Sequence, residues 1–196
     1  ITESTNTSVL DSSLLCSGSS GTPGHSYGRS HDLSVLDTGG NDISLECIKW
    51  GFESVSETME ATVKIHSDDD GDPTSGLTEI ASRTGQVDPG TDFYVTFDVG
   101  QIVPAGYIFI ELVIPPLNSA SSYSVAANDL GQNSPSWIRT ADGSCGVGSW
   151  TNLGSIGYPN THYVEAIEVA IATPSDPCDE PLADCAPDIT GPDGTP

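Results

Sequence analysis

Apolar and polar residues alternate with a period of two along most of this chain, and the 3.6-residue period of an amphipathic helix is nearly absent. Residues 60–66, EATVKIH, put Ala61, Val63 and Ile65 on one face and Thr62, Lys64 and His66 on the other. Residues 92–99, DFYVTFDV, turn Phe93, Val95, Phe97 and Val99 inward and Tyr94, Thr96 and Asp98 outward. Residues 107–114, YIFIELVI, are apolar on nearly both faces, the pattern of a central strand. Residues 163–171 align Ile167, Val169 and Ile171 as the last core strand. Weaker strands are predicted at 8–15, 27–36, 43–52, 77–83, 122–128 and 136–140. Turn signals separate them, among them Thr38-Gly39-Gly40-Asn41, Asp88-Pro89-Gly90 and Pro104-Ala105-Gly106. About nine to ten strands at this spacing predict an all-β fold, a two-sheet antiparallel sandwich of the jelly-roll kind. The sandwich is expected over residues 1–172, with a Pro/Asp/Cys-rich tail over 173–196.

Charge narrows the partners. Twenty-eight acids against five cations give a formal charge of −23 over 196 residues. Such a surface repels phosphate backbones and anionic lipid, which argues against nucleic acid and membrane surfaces as partners. No segment approaches the about 18 apolar residues of a membrane span, so membrane insertion is not expected. Only 17% of residues are charged, and Ser, Thr, Gly, Asn and Pro fill much of the remainder, as in exported all-β domains. The chain opens ITEST without an initiator Met or signal segment and reads as a mature, cleaved product, secreted or held at the cell surface.

Five cysteines without a CxxC, and four His without ligand spacing, fit an oxidising compartment better than a metal centre. The favoured pairings are Cys16–Cys145 as a long-range clasp and Cys178–Cys185 as a local staple of the tail; other pairings stay open. Cys47, inside the apolar run ISLECIKWGF, is expected to be a buried free thiol.

The end of the tail, DITGPDGTP, resembles the opening of the Cys-tethered, dockerin-like segments that close many bacterial exported surface proteins. Pro192 is inserted, Asp193 falls one place late, and a Pro/Asp-rich linker is the other reading. Upstream, the order of segments YGRSHDLSVL, ISLECIKWGFE, ATVKIHSDDDGDP and VPAGYIFIELVIP, closing with LGSIGYPNTHYVEAIEV, resembles an accessory β-sandwich domain of exported bacterial proteins. That resemblance implies a jelly-roll-like fold over about residues 1–172 and no defining activity; Cys47 and the acidic loop 68–72 depart from it.

Two places carry candidate chemistry. In SDDDGDP, Asp68, Asp70 and Asp72 follow the alternate spacing by which a tight loop turns carboxylates onto one hard cation, calcium being the natural one, with Gly71 allowing the bend. The competing reading is a solvated hairpin tip. Trp137, Trp150 and Tyr158 lie in a stretch rich in Asn, Ser, Gly and Thr, where aromatic faces beside hydroxyls and amides suit sugar stacking, or equally pin a long loop to the sandwich. Catalytic patterns fail: Gly154-Ser155-Ile156-Gly157 is one residue short of a nucleophile elbow, and His31 and Asp32 diverge if extended.

The function expected from these residues is therefore noncatalytic. It is an extracellular structural or adhesive surface protein that associates with itself through its termini, as a filament or surface layer. ITESTNTSVL can add as an edge strand, and the small apolar groups Ile1, Val9, Leu10, Leu182 and Ile189 offer contacts. A carbohydrate-binding module with a polysaccharide partner is the alternative.

Overall fold

The computed structural model describes residue 15 and residues 23–118, 121–128 and 134–172. Among them run twelve strands: β1 (His25–Asp32), β2 (Ile43–Val55), β3 (Met59–Asp68), β4 (Thr78–Val87), β5 (Gly90–Val103), β6 (Tyr107–Ile114), β7 (Tyr123–Val125), β8 (Ala127–Asn128), β9 (Ser136–Thr140), β10 (Thr151–Asn152), β11 (His162–Tyr163) and β12 (Glu165–Ile171). The larger sheet has the order β10-β9-β1-β6-β3-β4. The smaller has β12-β2-β5, with β7 also on β2, and β8 pairs with β11. Every pairing is antiparallel. This is the all-β, two-sheet sandwich that the alternation predicts.

Alternation also decides what fills it. Tyr27, Val63, Ile65, Ile110 and Leu112 of the larger sheet meet Ile48, Trp50, Phe52, Phe97 and Ile167 of the smaller in one apolar cluster. β6, the strand that is apolar on both faces, lies between β1 and β3 in the middle of the larger sheet. Bulges on both sides of β2, at Leu45/Cys47 and Glu168/Val169, accommodate its pairing with β5 and β12.

Two strands differ from the sequence expectation for local reasons. The strand expected over 27–36 stops at Asp32, whose carboxylate accepts the Ser34 N–H and starts a single 3₁₀ turn over Leu33–Val35. The strand expected over 122–128 divides at Ala126, which bonds to Gly51 and Val164 instead of continuing one ladder. Residues 8–14 of the expected first strand lie outside the described residues, as does the tail 173–196; Leu15 packs against the core.

Cys47 is a free, buried thiol, and burial followed by the neighbouring Glu168 carboxylate pushes it up. Cys145 is disulfide-bonded. Its expected partner Cys16, and the expected Cys178–Cys185 pair, lie outside the described residues.

Candidate functional site

The register of the larger sheet lays out its solvent-side face as rows of alternate side chains. One row runs Thr62, Val113, Ser26, Arg139 across β3, β6, β1 and β9. The next runs Lys64, Glu111, Gly28, Trp137. A third pairs His66 with Phe109 and Ser30.

Small residues on β1 let the large ones cross. A Cβ at Gly28 would stand 2.0 Å from Phe109 Cζ, so the Phe109 ring occupies the space that any side chain there would need. Beside it, the Arg139 side chain spans the Ser26 position to reach Glu111, donating from Nη2 to Oε1 at 2.6 Å. The other Glu111 oxygen, Oε2, lies 3.0 Å from His66 Nε2. Arg139 also stacks on Trp150 at 4.7 Å from the ring centre. Trp150 meets Phe109 edge-on at 4.8 Å, and Phe109 tilts against His66 at 6.1 Å. His66, Glu111, Arg139, Trp150 and Phe109 thus form a closed circuit over the middle of the sheet.

Glu111 is the electrostatic centre of this circuit. Burial alone would push its carboxyl up, but hydrogen bonds from His66, Ser26 and Arg139, together with the Arg139 charge, hold it down to about 2. It is 1% exposed, whereas the Arg139 side chain is 41% exposed and opens onto solvent. Lys64, the cross-strand neighbour of Glu111, pairs with Glu79 at 2.8 Å.

A cleft of about 360 Å³ opens beside this circuit. Ser26 and Val113 contribute to its lining, with Lys64, Arg139 and Glu111, and the exposed Pro115 and Pro116. Residues Gly148 and Ala141 belong to the loop after β9. That loop is shaped by the left-handed Gly143, Cys145 and Gly146, and Thr140 tethers it by donating to the Ser144 carbonyl. The cleft falls in the small end of the range typical for small-molecule sites.

The residues singled out in the sequence fare differently. Trp137 is buried at 8% exposure, Trp150 has its ring engaged by Arg139 and Phe109, and Tyr158 is exposed at 46% in the turn before β11. Asp68, Asp70 and Asp72 each accept a backbone N–H two residues on, from Asp70, Asp72 and Thr74. These successive turns direct the carboxylates at their own backbone, and no group of three acidic, His or Cys side chains among the described residues is arranged to hold a metal. Gly71 takes a left-handed φ of 81° and lies against the Tyr107 ring.

The cleft residues Ser26, Lys64, Glu111 and Arg139 carried no motif. One signal was present, since Glu111 is the only charge in the run YIFIELVI. A carboxylate at the centre of a two-sided strand needs a cation from a neighbouring strand, and the chain has only five.

No protein-family model and no curated protein sequence matches the chain. Its fold is similar to that in the crystal structure of the cysteine protease and lectin-like domains of Cwp84, a surface layer associated protein of Clostridium difficile. The TM-score is 0.55 at 15% identity, over 78% of this chain and 33% of that one. It is also similar to the clostridial cysteine protease Cwp84 after propeptide cleavage, with a TM-score of 0.51 at 17% identity, over 77% of this chain and 37% of that one. The chain spans about a third of the length of these solved chains, and at such identities the likeness is one of fold.

Proposed function

We propose that this chain is a noncatalytic binding module of an extracellular surface protein, and that it holds a saccharide in the cleft beside Arg139. The observation that carries the reading is the cleft itself: a recess of saccharide size, with a guanidinium clamped by Glu111 and Trp150 on one side and Lys64 on the other. A clamped donor loses little side-chain freedom on meeting a ligand. The fold likeness to a protein described by its protease and lectin-like domains supports the same reading, as does the predominance of strands among the described residues. Titration calorimetry with a panel of neutral and acidic disaccharides tests this. Binding by the parent and its loss in Arg139→Gln, with the fold intact by circular dichroism, is the expected result; heat-silent titrations across the panel would remove the reading.

Self-association is the second reading, and one feature favours it. Cross-strand pairing puts Ile102 and Ile171 on either side of the start of β2, and Leu33 bonds to Gly106 at the same end. Val35, Ile102 and Ile171 are exposed there at 73%, 48% and 50%. Residue 172, from which the tail departs, bonds to Asp42 at that end too. Sedimentation of the parent, of deletions of residues 1–10 or 173–196, and of Ile102→Asp tests it: assembly lost in the variants supports association through this end, and a monomeric parent sinks it.

A further inference from the structure

On the binding reading above, we infer that the saccharide held beside Arg139 carries a single carboxylate, a uronic-acid-type sugar within an otherwise neutral glycan.

Charge placement is the first argument. Of the five cations, Arg29 is buried and Lys49 is engaged with Glu168 across β2 and β12. Arg83 lies on β4 and donates to the backbone carbonyls of Ser82 and Val99. The remaining two, Lys64 and Arg139, line one cleft. The acid in that lining, Glu111, already receives His66 and Arg139 on its two oxygens, with Ser26 adding a third bond. Against a surface of −23, this recess is where an incoming anion meets donors rather than carboxylates.

Donor geometry is the second. Among the described residues, Arg139 commits one N–H, from Nη2 to Glu111, and its side chain is 41% exposed; the second Nη2 hydrogen and the neighbouring one on Nε or Nη1 remain as a planar fork. Two N–H groups in that fork match the two oxygens of a carboxylate, and a neutral hydroxyl can use only one of them. Lys64 holds Glu79 through an exposed bond and can turn towards a ligand anion at small cost. The lining also offers C–H surface from Val113, Pro115 and Pro116, against which a pyranose ring can lie.

The overall charge sets the limit of one carboxylate. A polyuronate would bring many like charges to an acidic particle, whereas one carboxylate seated within the recess meets the two cations at contact distance, where screening is weak.

The experiment uses the full chain and disaccharides in matched neutral and uronate forms of the gluco, galacto and manno series, with a polyuronate alongside. At least one uronate should bind about tenfold more tightly than its neutral counterpart, the worth of one charge-assisted hydrogen-bond pair. Lys64→Gln should weaken that uronate several-fold more than it weakens the neutral form, and Glu79→Gln, which releases Lys64, should tighten the uronate. Both substitutions lie on an exposed pair and leave the Glu111 circuit in place. If the neutral form binds as well as the uronate in every series, the acidic-ligand inference falls and the binding reading stands. If the polyuronate binds more tightly per carboxylate than the disaccharide, the single-carboxylate limit is overturned. If no saccharide binds at all, both fall.

Discussion

Two His–Glu pairs lie within this sandwich, and their surroundings separate a structural device from a candidate site. Between the sheets, His31 Nε2 meets Glu165 Oε2 at 2.7 Å with both side chains wholly buried. Close by, Arg29 donates to the carbonyls of Tyr163 and Ser134. Tyr123 joins Tyr27 to His25 through hydroxyl contacts of 3.2 and 2.9 Å. Burial, before any neighbouring charge, raises the Tyr27, Tyr123 and Tyr163 phenols, so they stay protonated and serve as neutral hydrogen-bonding groups. On the outer face, His66 and Glu111 repeat the same pairing at 3.0 Å, but a third group, Arg139, reaches from the pair into solvent. The same chemistry that locks two sheets together inside becomes, with one exposed donor added, a rigid mount for that donor.

The largest effect should come from breaking the inner pair. Glu165→Ala leaves His31 without its buried carboxylate and should cost about 3–5 kcal/mol, read as a lowered midpoint in urea. A loss under about 1 kcal/mol would mean that the pair does not knit the sheets. The outer pair should show itself in acid. The Glu111 carboxyl is lowered from 4.5 to about 2, so its contribution is fully present above the unfolded value. That contribution is then lost as the pH falls through 4.5 towards 2, and is on the order of 3 kcal/mol in all. Glu111→Gln should flatten this part of the stability profile, and an unchanged acid limb would place the titration elsewhere.

Gly28→Ala comes next. In an ordinary strand this change is neutral or favourable, but here the new methyl displaces a fully buried Phe109. The cost should be about 2 kcal/mol with altered Trp150 fluorescence, and Gly28→Ala combined with Phe109→Leu should recover part of it. The smallest effect belongs to Trp150→Leu, which removes the ring under Arg139 and should cost about 1 kcal/mol beyond its lost packing. It should also weaken ligand binding more than stability, because it frees the guanidinium to wander. An equal loss in both would make Trp150 a packing residue only.

Strand positions were legible because period two is a local property. Residues 107–114 and 136–140 appear as strands at the bounds the alternation gives. The pairs β8–β11 and β10–β9 involve two residues from each of β8, β10 and β11, too few to leave a periodic trace. The site was less legible for a different reason. Arg139 and Glu111 meet only because β1 inserts between β9 and β6 with a Ser and a Gly at the crossing. No spacing along the chain encodes that. The aromatic residues drew attention by their type, yet type does not say which face of a ring is already occupied, and for Trp150 the occupant is Arg139 itself. The acidic loop shows the converse: alternate Asp residues suit a cation and suit successive backbone turns equally well, so their spacing alone does not choose between the two uses.

The place of β1 in the larger sheet has a consequence in time. It is made early, yet its two neighbours are β6, which begins at residue 107, and β9, which begins at residue 136. Until both have emerged, the segment that will hold Arg29, His31 and Gly28 has nothing to pair with, and the sheet cannot close. Such an order of assembly makes folding slow and leaves strand edges open to other chains meanwhile. A fragment ending before residue 136 should therefore aggregate, whereas the chain through residue 172 should refold once diluted from denaturant.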